Sequence, residues 1–146
     1  MKIVIDTNVL LSALFSKNGT SHKLLTWILD KHKQNHQILV VSNTLVIEYQ
    51  AVFTRNENLL KCKTNKQEIL KFIDDICLIS QPQKINFIWR PFLKDSADDM
   101  VLETAFNAGA EYIITYNIKD FSNIENSFDI KICTAKDFLI IMGVLK

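Results

Sequence analysis

The chain has 146 residues, 48% of them hydrophobic and 23% charged, a globular composition sized for one domain over 1–146 and not for a disordered or fibrous chain. Three Gly and two Pro leave no room for a Gly-rich phosphate loop or a Pro-rich linker, and Cys62, Cys77 and Cys133 form no CxxC pair, which argues against a disulfide framework or a thiolate zinc site. The net charge of +1 predicts no strong nonspecific hold on a polyanion; with three acids neutralised in one metal-holding cleft the remainder would turn basic, so charge allows a nucleic-acid substrate without demanding one. No apolar run reaches the ~20 residues of a membrane helix, and the opening MKIVID lacks a signal-peptide layout, so the expectation is a cytoplasmic protein with no membrane association.

Residues 2–5 (KIVI) read as a strand covered on both faces, ended by Asp6, and TNVLLSALF continues as a helix with Val9, Leu10, Ala13 and Leu14 on one stripe. Asn18-Gly19 breaks it, and SHKLLTWILDKHK follows as an amphipathic helix with Leu24, Leu25, Ile28 and Leu29 inward and His22, His32 and His36 on or near the polar face. Ile38–Val41 is a second buried strand, with Ser42 or Asn43 capping the helix TLVIEYQAVFTR. A polar segment, 56–66, precedes a helix marked by Ile69, Phe72, Ile73 and Ile76, and 84–94 reads as extended or irregular, with Pro91 barring a helix and Trp89 packing. A helix from Asp98 to Ala108 ends at Gly109; Tyr112–Thr115 and Ile130–Cys133 are the third and fourth strands, and Thr134 caps the last helix, AKDFLIIM. Continuous apolar strands alternating with helices predict an α/β fold, a three-layer α/β/α sandwich with a largely parallel central sheet.

The acids carry the functional signal. Asp6 follows the first strand, Glu48 lies just over a turn into the helix after the second, Asp98 and Asp99 open a helix, and Asn117 and Asp120 follow the third strand. Open α/β sheets bind ligands outside the carboxyl ends of their strands, where strand order reverses. Glu48 projects beside Val52 at the border of the apolar stripe, whereas helical angle does not choose between Asp98 and Asp99. Two like charges ~5 Å apart repel by roughly 3 kcal/mol at an effective dielectric near 20. A hard divalent cation relieves that cost, and an all-oxygen site selects Mg²⁺ or Mn²⁺ over zinc. Each acid also has a plainer explanation: Asp6 as a helix cap, Glu48 as half of an ion pair, Ser96 with Asp99 as a capping box, Asp120 as a turn residue. Arg55, Lys61 and Lys63 can touch a phosphate backbone or form a solvated loop. An aspartyl-nucleophile phosphatase needs a second Asp two residues after Asp6, where Asn8 stands.

VIDTNVLLSAL, VVSNTLVIEYQAVF, KDSADDMVLETAFNAGAEYIITYNIKDF and the closing strand and helix together resemble the PIN-domain family, nearest its bacterial branch of VapC-like toxin components of toxin–antitoxin pairs. The resemblance implies a Mg²⁺- or Mn²⁺-dependent ribonuclease with Asp6, Glu48 and Asp99 as catalytic metal ligands. Asn117 assists, Asp98 and Asp120 are further candidates, and Thr7, Asn8 and Thr115 support. It further implies an RNA substrate, a small antitoxin partner and a homodimer. Asn117 stands where the family often has Asp; the lost charge weakens a metal site, and the competing expectation is a catalytically weak or inactive RNA- or protein-binding module.

Overall fold

A computed structural model describes residues 1–87, 93, 95–122 and 124–146; the expectations for Trp89 and Pro91 lie outside the described residues. The described strands are β1 (Ile3–Ile5), β2 (Val40–Val41), β3 (Gln81–Pro82), β4 (Tyr112–Ile114) and β5 (Lys131–Cys133). The helices are α1 (Thr7–Phe15), α2 (Thr20–Lys33), α3 (Asn43–Phe53), α4 (Asn56–Lys61), α5 (Lys66–Ile79), α6 (Ser96–Ala108), α7 (Ile124–Phe128) and α8 (Ala135–Ile141), with a 3₁₀ turn over Ile118–Phe121.

Every strand pairing is parallel. Ile3 stands opposite Tyr112 and Ile5 opposite Ile114, while Ile114 in turn faces Cys133, which gives a three-stranded sheet in the order β1-β4-β5. Val40 and Val41 pair with Gln81 and Pro82 in a second, two-stranded sheet. A bridge between Ile3 and Leu39 and a bond from the Ile3 N–H to the Ile38 carbonyl (2.9 Å) join the two, so the strands run β3-β2-β1-β4-β5. Connections leave β1 in one direction and reach β4 and β5 in the other, so the order reverses between β1 and β4. Ile3, Val4 and Ile5 are all buried. Successive strand residues face opposite sides, so helices cover both faces of the sheet, as a parallel sheet requires. Helix α6 packs on β1, β2 and β4, α3 on α5 and α6, and α2 on α1 and α8.

The expected strands and long helices are present, with five differences. Strand β3 falls in a short polar stretch ending in Pro82, a residue tolerated only where its missing N–H faces no partner. Helix α4 lies in the polar segment 56–66, for which the sequence predicts no element; it buries none of its residues, so it leaves no apolar period to read. The 3₁₀ turn and α7 lie between β4 and β5, which the sequence places in direct succession. Helix α6 begins at Ser96 and not at Asp98, because Asp95 is its cap: Asp95 Oδ1 accepts the Ala97 N–H (2.9 Å), which takes the place of the alternative capping box of Ser96 and Asp99. Leu29, expected inward, is exposed. Ser42 and Thr134 cap α3 and α8 as expected.

Candidate active site

Asp6 stands at the carboxyl end of β1, beside the strand-order reversal. Its Oδ1 accepts the Thr7 N–H (2.8 Å) and so caps α1, as the plainer explanation holds. A cap uses one oxygen. The other, Oδ2, accepts the hydroxyl of Thr115, the residue after β4 (2.7 Å), and Thr115 Oγ1 accepts the Asn117 N–H (3.0 Å). The Asp6 N–H donates to the Ile114 carbonyl (2.9 Å), so one residue ties together the strand ends on both sides of the reversal. Below it, the fully buried Tyr49 of α3 donates its hydroxyl to the Ile5 carbonyl, and burial followed by the charge of Asp6 holds that phenol well above its ordinary pKa.

Helix α6 brings two more carboxylates inward at its first turn, Asp98 at 6% and Asp99 at 2% exposure. Their roles differ. Asp99 Oδ1 accepts the Leu93 N–H (2.8 Å) and anchors the chain that enters the helix. Asp98 lies in the field of Asp6: burial, then the charges of Asp6, Asp95, Asp120 and Asp99, push its carboxyl up to about 7. The Asp6 carboxyl is also raised. Burial is the largest cause, the bonds from Thr115 and Thr7 oppose it, and Asp95 and Asp120 add to it. The charge of Asp6 thus bears on Asp98, whereas Asp99 has a hydrogen-bonding task.

After β4, Asn117 and Asp120 are both exposed, and the 3₁₀ turn of Ile118–Phe121 carries Asp120 to where its charge reaches both Asp6 and Asp98. Thr7 Oγ1 and Asn8 Oδ1 are buried and unpartnered among the described residues. Glu48 is half-buried on α3, one residue from Tyr49. Among the described residues no three His, Cys, Asp or Glu side chains converge closely enough to hold a metal ion, so Asp6, Glu48 and either α6 acid do not form a ready-made cage. Asp95 was not singled out from the sequence; an Asp three residues before Asp98 has the residue type of a helix cap, and that was the available signal.

The three basic candidates lie elsewhere. Arg55 precedes α4 as its cap residue, Lys63 is exposed, and Lys61 Nζ sits 4.2 Å from the centre of the Phe15 ring. Phe15 closes α1, about 13 Å along the helix from Asp6. A patch there meets a polymer at a distance from the acids.

No curated protein sequence matches the chain. The PIN-domain family model matches residues 2–119, which span β1 through the turn bearing Asn117 and include every acid described above except Asp120. The chain belongs to the PIN-domain family, whose members are commonly nucleases.

Proposed function

We propose that this chain is a metal-dependent ribonuclease that cuts single-stranded RNA at the carboxyl end of the β1–β4 junction. The observation that carries the reading is the pair Asp6 and Asp98. Both carboxylates are raised first by burial and then by neighbouring acids, and neither has a cationic partner among the described residues. The donor set fits a small hard cation such as Mg²⁺ (or Mn²⁺), because it is all oxygen and includes the orphaned Thr7 Oγ1 and Asn8 Oδ1 beside Asp6. Asp6 and Asp98 would hold the ion, with Asp120 and Asn117 from the turn after β4 and Asp99 and Glu48 at the flanks. A divalent ion supplies an acidified water and stabilises charge on a phosphate.

The chain's own residues orient this set. Thr115 holds Asp6 Oδ2, and Tyr49 fixes the Ile5 carbonyl one residue before it. Asp98 carries a proton part of the time near neutrality and releases it when it ligates. Asp120 restores the negative charge that Asn117 lacks. The resemblance to VapC-like toxins extends the reading to the toxin of a toxin–antitoxin pair, a homodimer silenced by a small antitoxin that inserts a basic or aromatic segment at the acidic site. Arg55, Lys61 and Lys63 are then backbone contacts remote from the cut.

The test is cleavage of single-stranded RNA with Mg²⁺ or Mn²⁺ by wild type and by Asp6→Asn. Cleavage by wild type alone supports the mechanism, and equal cleavage by both removes it. A second reading, a noncatalytic RNA- or protein-binding module, is favoured by the uncharged Asn117 and by the lack of a three-ligand cluster among the described residues. It expects RNA binding without magnesium binding at millimolar concentration.

A further inference from the structure

Beside the acids, the same edge of the sheet carries a cavity of about 420 Å³, a size that suits a small organic group. It opens at the carboxyl ends of β2 and β3. Val46 and Ile47 of α3, Cys77 of α5 and Pro82 of β3 form its apolar wall, and Asn43 and Gln83 supply amides at its rim. None of the described residues that line it is charged, which suits a neutral group better than a phosphate or an ion. The Asn43 amide makes no hydrogen bond among the described residues. Gln83 spends its Nε2 on the Lys84 carbonyl (3.1 Å) and keeps its Oε1 as an acceptor. Ile47 is 65% exposed, an apolar side chain at the mouth with nothing over it.

Position joins this cavity to the acids. The Ile3–Leu39 bridge seats β2 beside β1, and Asp6 and Ser42 each follow the carboxyl end of their strand, so both stand at the same edge of the sheet. The cavity, at the ends of β2 and β3, is therefore at least one strand spacing from Asp6, about 5 Å or more. Ile47 and Glu48 are consecutive on α3, so one helix turn borders both places. A strand of RNA with a phosphate at Asp6 would bring a neighbouring base to the cavity. An unpaired base presents two flat apolar faces and an edge of donors and acceptors, which apolar walls and side-chain amides accommodate.

We propose that this neutral cavity between α3, α5 and the β2–β3 ends is a nucleobase subsite that gives the enzyme its base preference next to the cut. The inference rests on the nuclease reading above. The experiment is equilibrium binding of four short single-stranded RNAs, each of one base, and of an abasic oligomer of equal length, to the Asp6→Asn protein in Mg²⁺. The same series is repeated with Ile47→Ser or Asn43→Ala added. Both added changes are at exposed positions, and a thermal melt confirms that the fold is retained. The expected result is a preference of roughly tenfold for one base, lost in both variants while the abasic oligomer binds as before. A flat response to base identity, or losses equal for the abasic oligomer, overturns the subsite and leaves the nuclease reading standing. Binding of no oligomer at all also overturns the subsite, and the nuclease reading is decided separately by the cleavage assay. A cavity that takes an apolar side chain of a partner protein instead gives the flat response.

Discussion

Helices α6 and α8 start in the same way and end up with different chemistry. Each opens on a capping oxygen, Asp95 for α6 and Thr134 for α8, and each carries acid in its first turn. Asp137 of α8 is exposed, where a carboxylate near a helix N-terminus stabilises the helix by a few tenths of a kcal/mol. Asp98 of α6 is buried against the charge of Asp6, where the same carboxylate opposes folding until something neutralises it. The helix start is a matter of local sequence; what the carboxylate costs is decided by the strand end packed opposite.

Asp6→Asn and Asp98→Asn separate the two helices most sharply. Each is expected to lower RNA cleavage more than about a hundredfold, since even an outer partner of a metal ligand is worth roughly 10–100-fold; Asp137→Asn leaves the rate unchanged in the same assay. Thr115→Val tests that outer effect. It keeps the shape, removes the donor to Asp6 Oδ2, and is expected to cost roughly 10–100-fold in activity or in metal affinity read by titration.

A smaller effect lies in the pH dependence of stability. Asp98 holds its proton up to about 7 in the folded chain, whereas an unfolded Asp releases it near 3.9. The folded state thus binds the extra proton between those values. The stability that this supplies is complete below about pH 4 and is lost as pH rises through 7. Asp6 acts in the same direction. Metal-free protein is expected to melt several degrees lower at pH 8 than at pH 5.5 in calorimetry, and Asp98→Asn is expected to flatten the difference. Saturating Mg²⁺ is expected to restore the melting temperature at pH 8 by mass action. Smallest is Thr134→Ala, which removes the α8 cap for about 1 kcal/mol of stability by denaturant titration and has no effect on cleavage.

How legible each part was follows from what local sequence encodes. The strand Ile3–Ile5 and the helix after it were readable because burial on both faces and on one stripe leave continuous and periodic apolar patterns. Helix α4 and strand β3 were not, because one buries nothing and the other is two residues at a sheet edge. At the site, Asp6 and the turn after β4 were readable as polar residues following strand ends, and Asp98 and Asp99 as acids opening a helix. The division of labour between Asp98 and Asp99 was not: both fall on the inner side of α6, and only the Leu93 N–H and the position of Asp6 tell them apart. The cavity beside α3 had no sequence signal, since it is the space between residues from three distant segments.

Magnesium titration by calorimetry at pH 8, comparing wild type with Asp6→Asn and Asp98→Asn, bears most directly on the idea that the buried carboxylates are completed by a cation. The account expects saturable binding in wild type, with proton release that grows as the pH is lowered toward 7, and its loss in both variants. Absence of binding at millimolar Mg²⁺ and Mn²⁺, or binding that both variants retain, would contradict it.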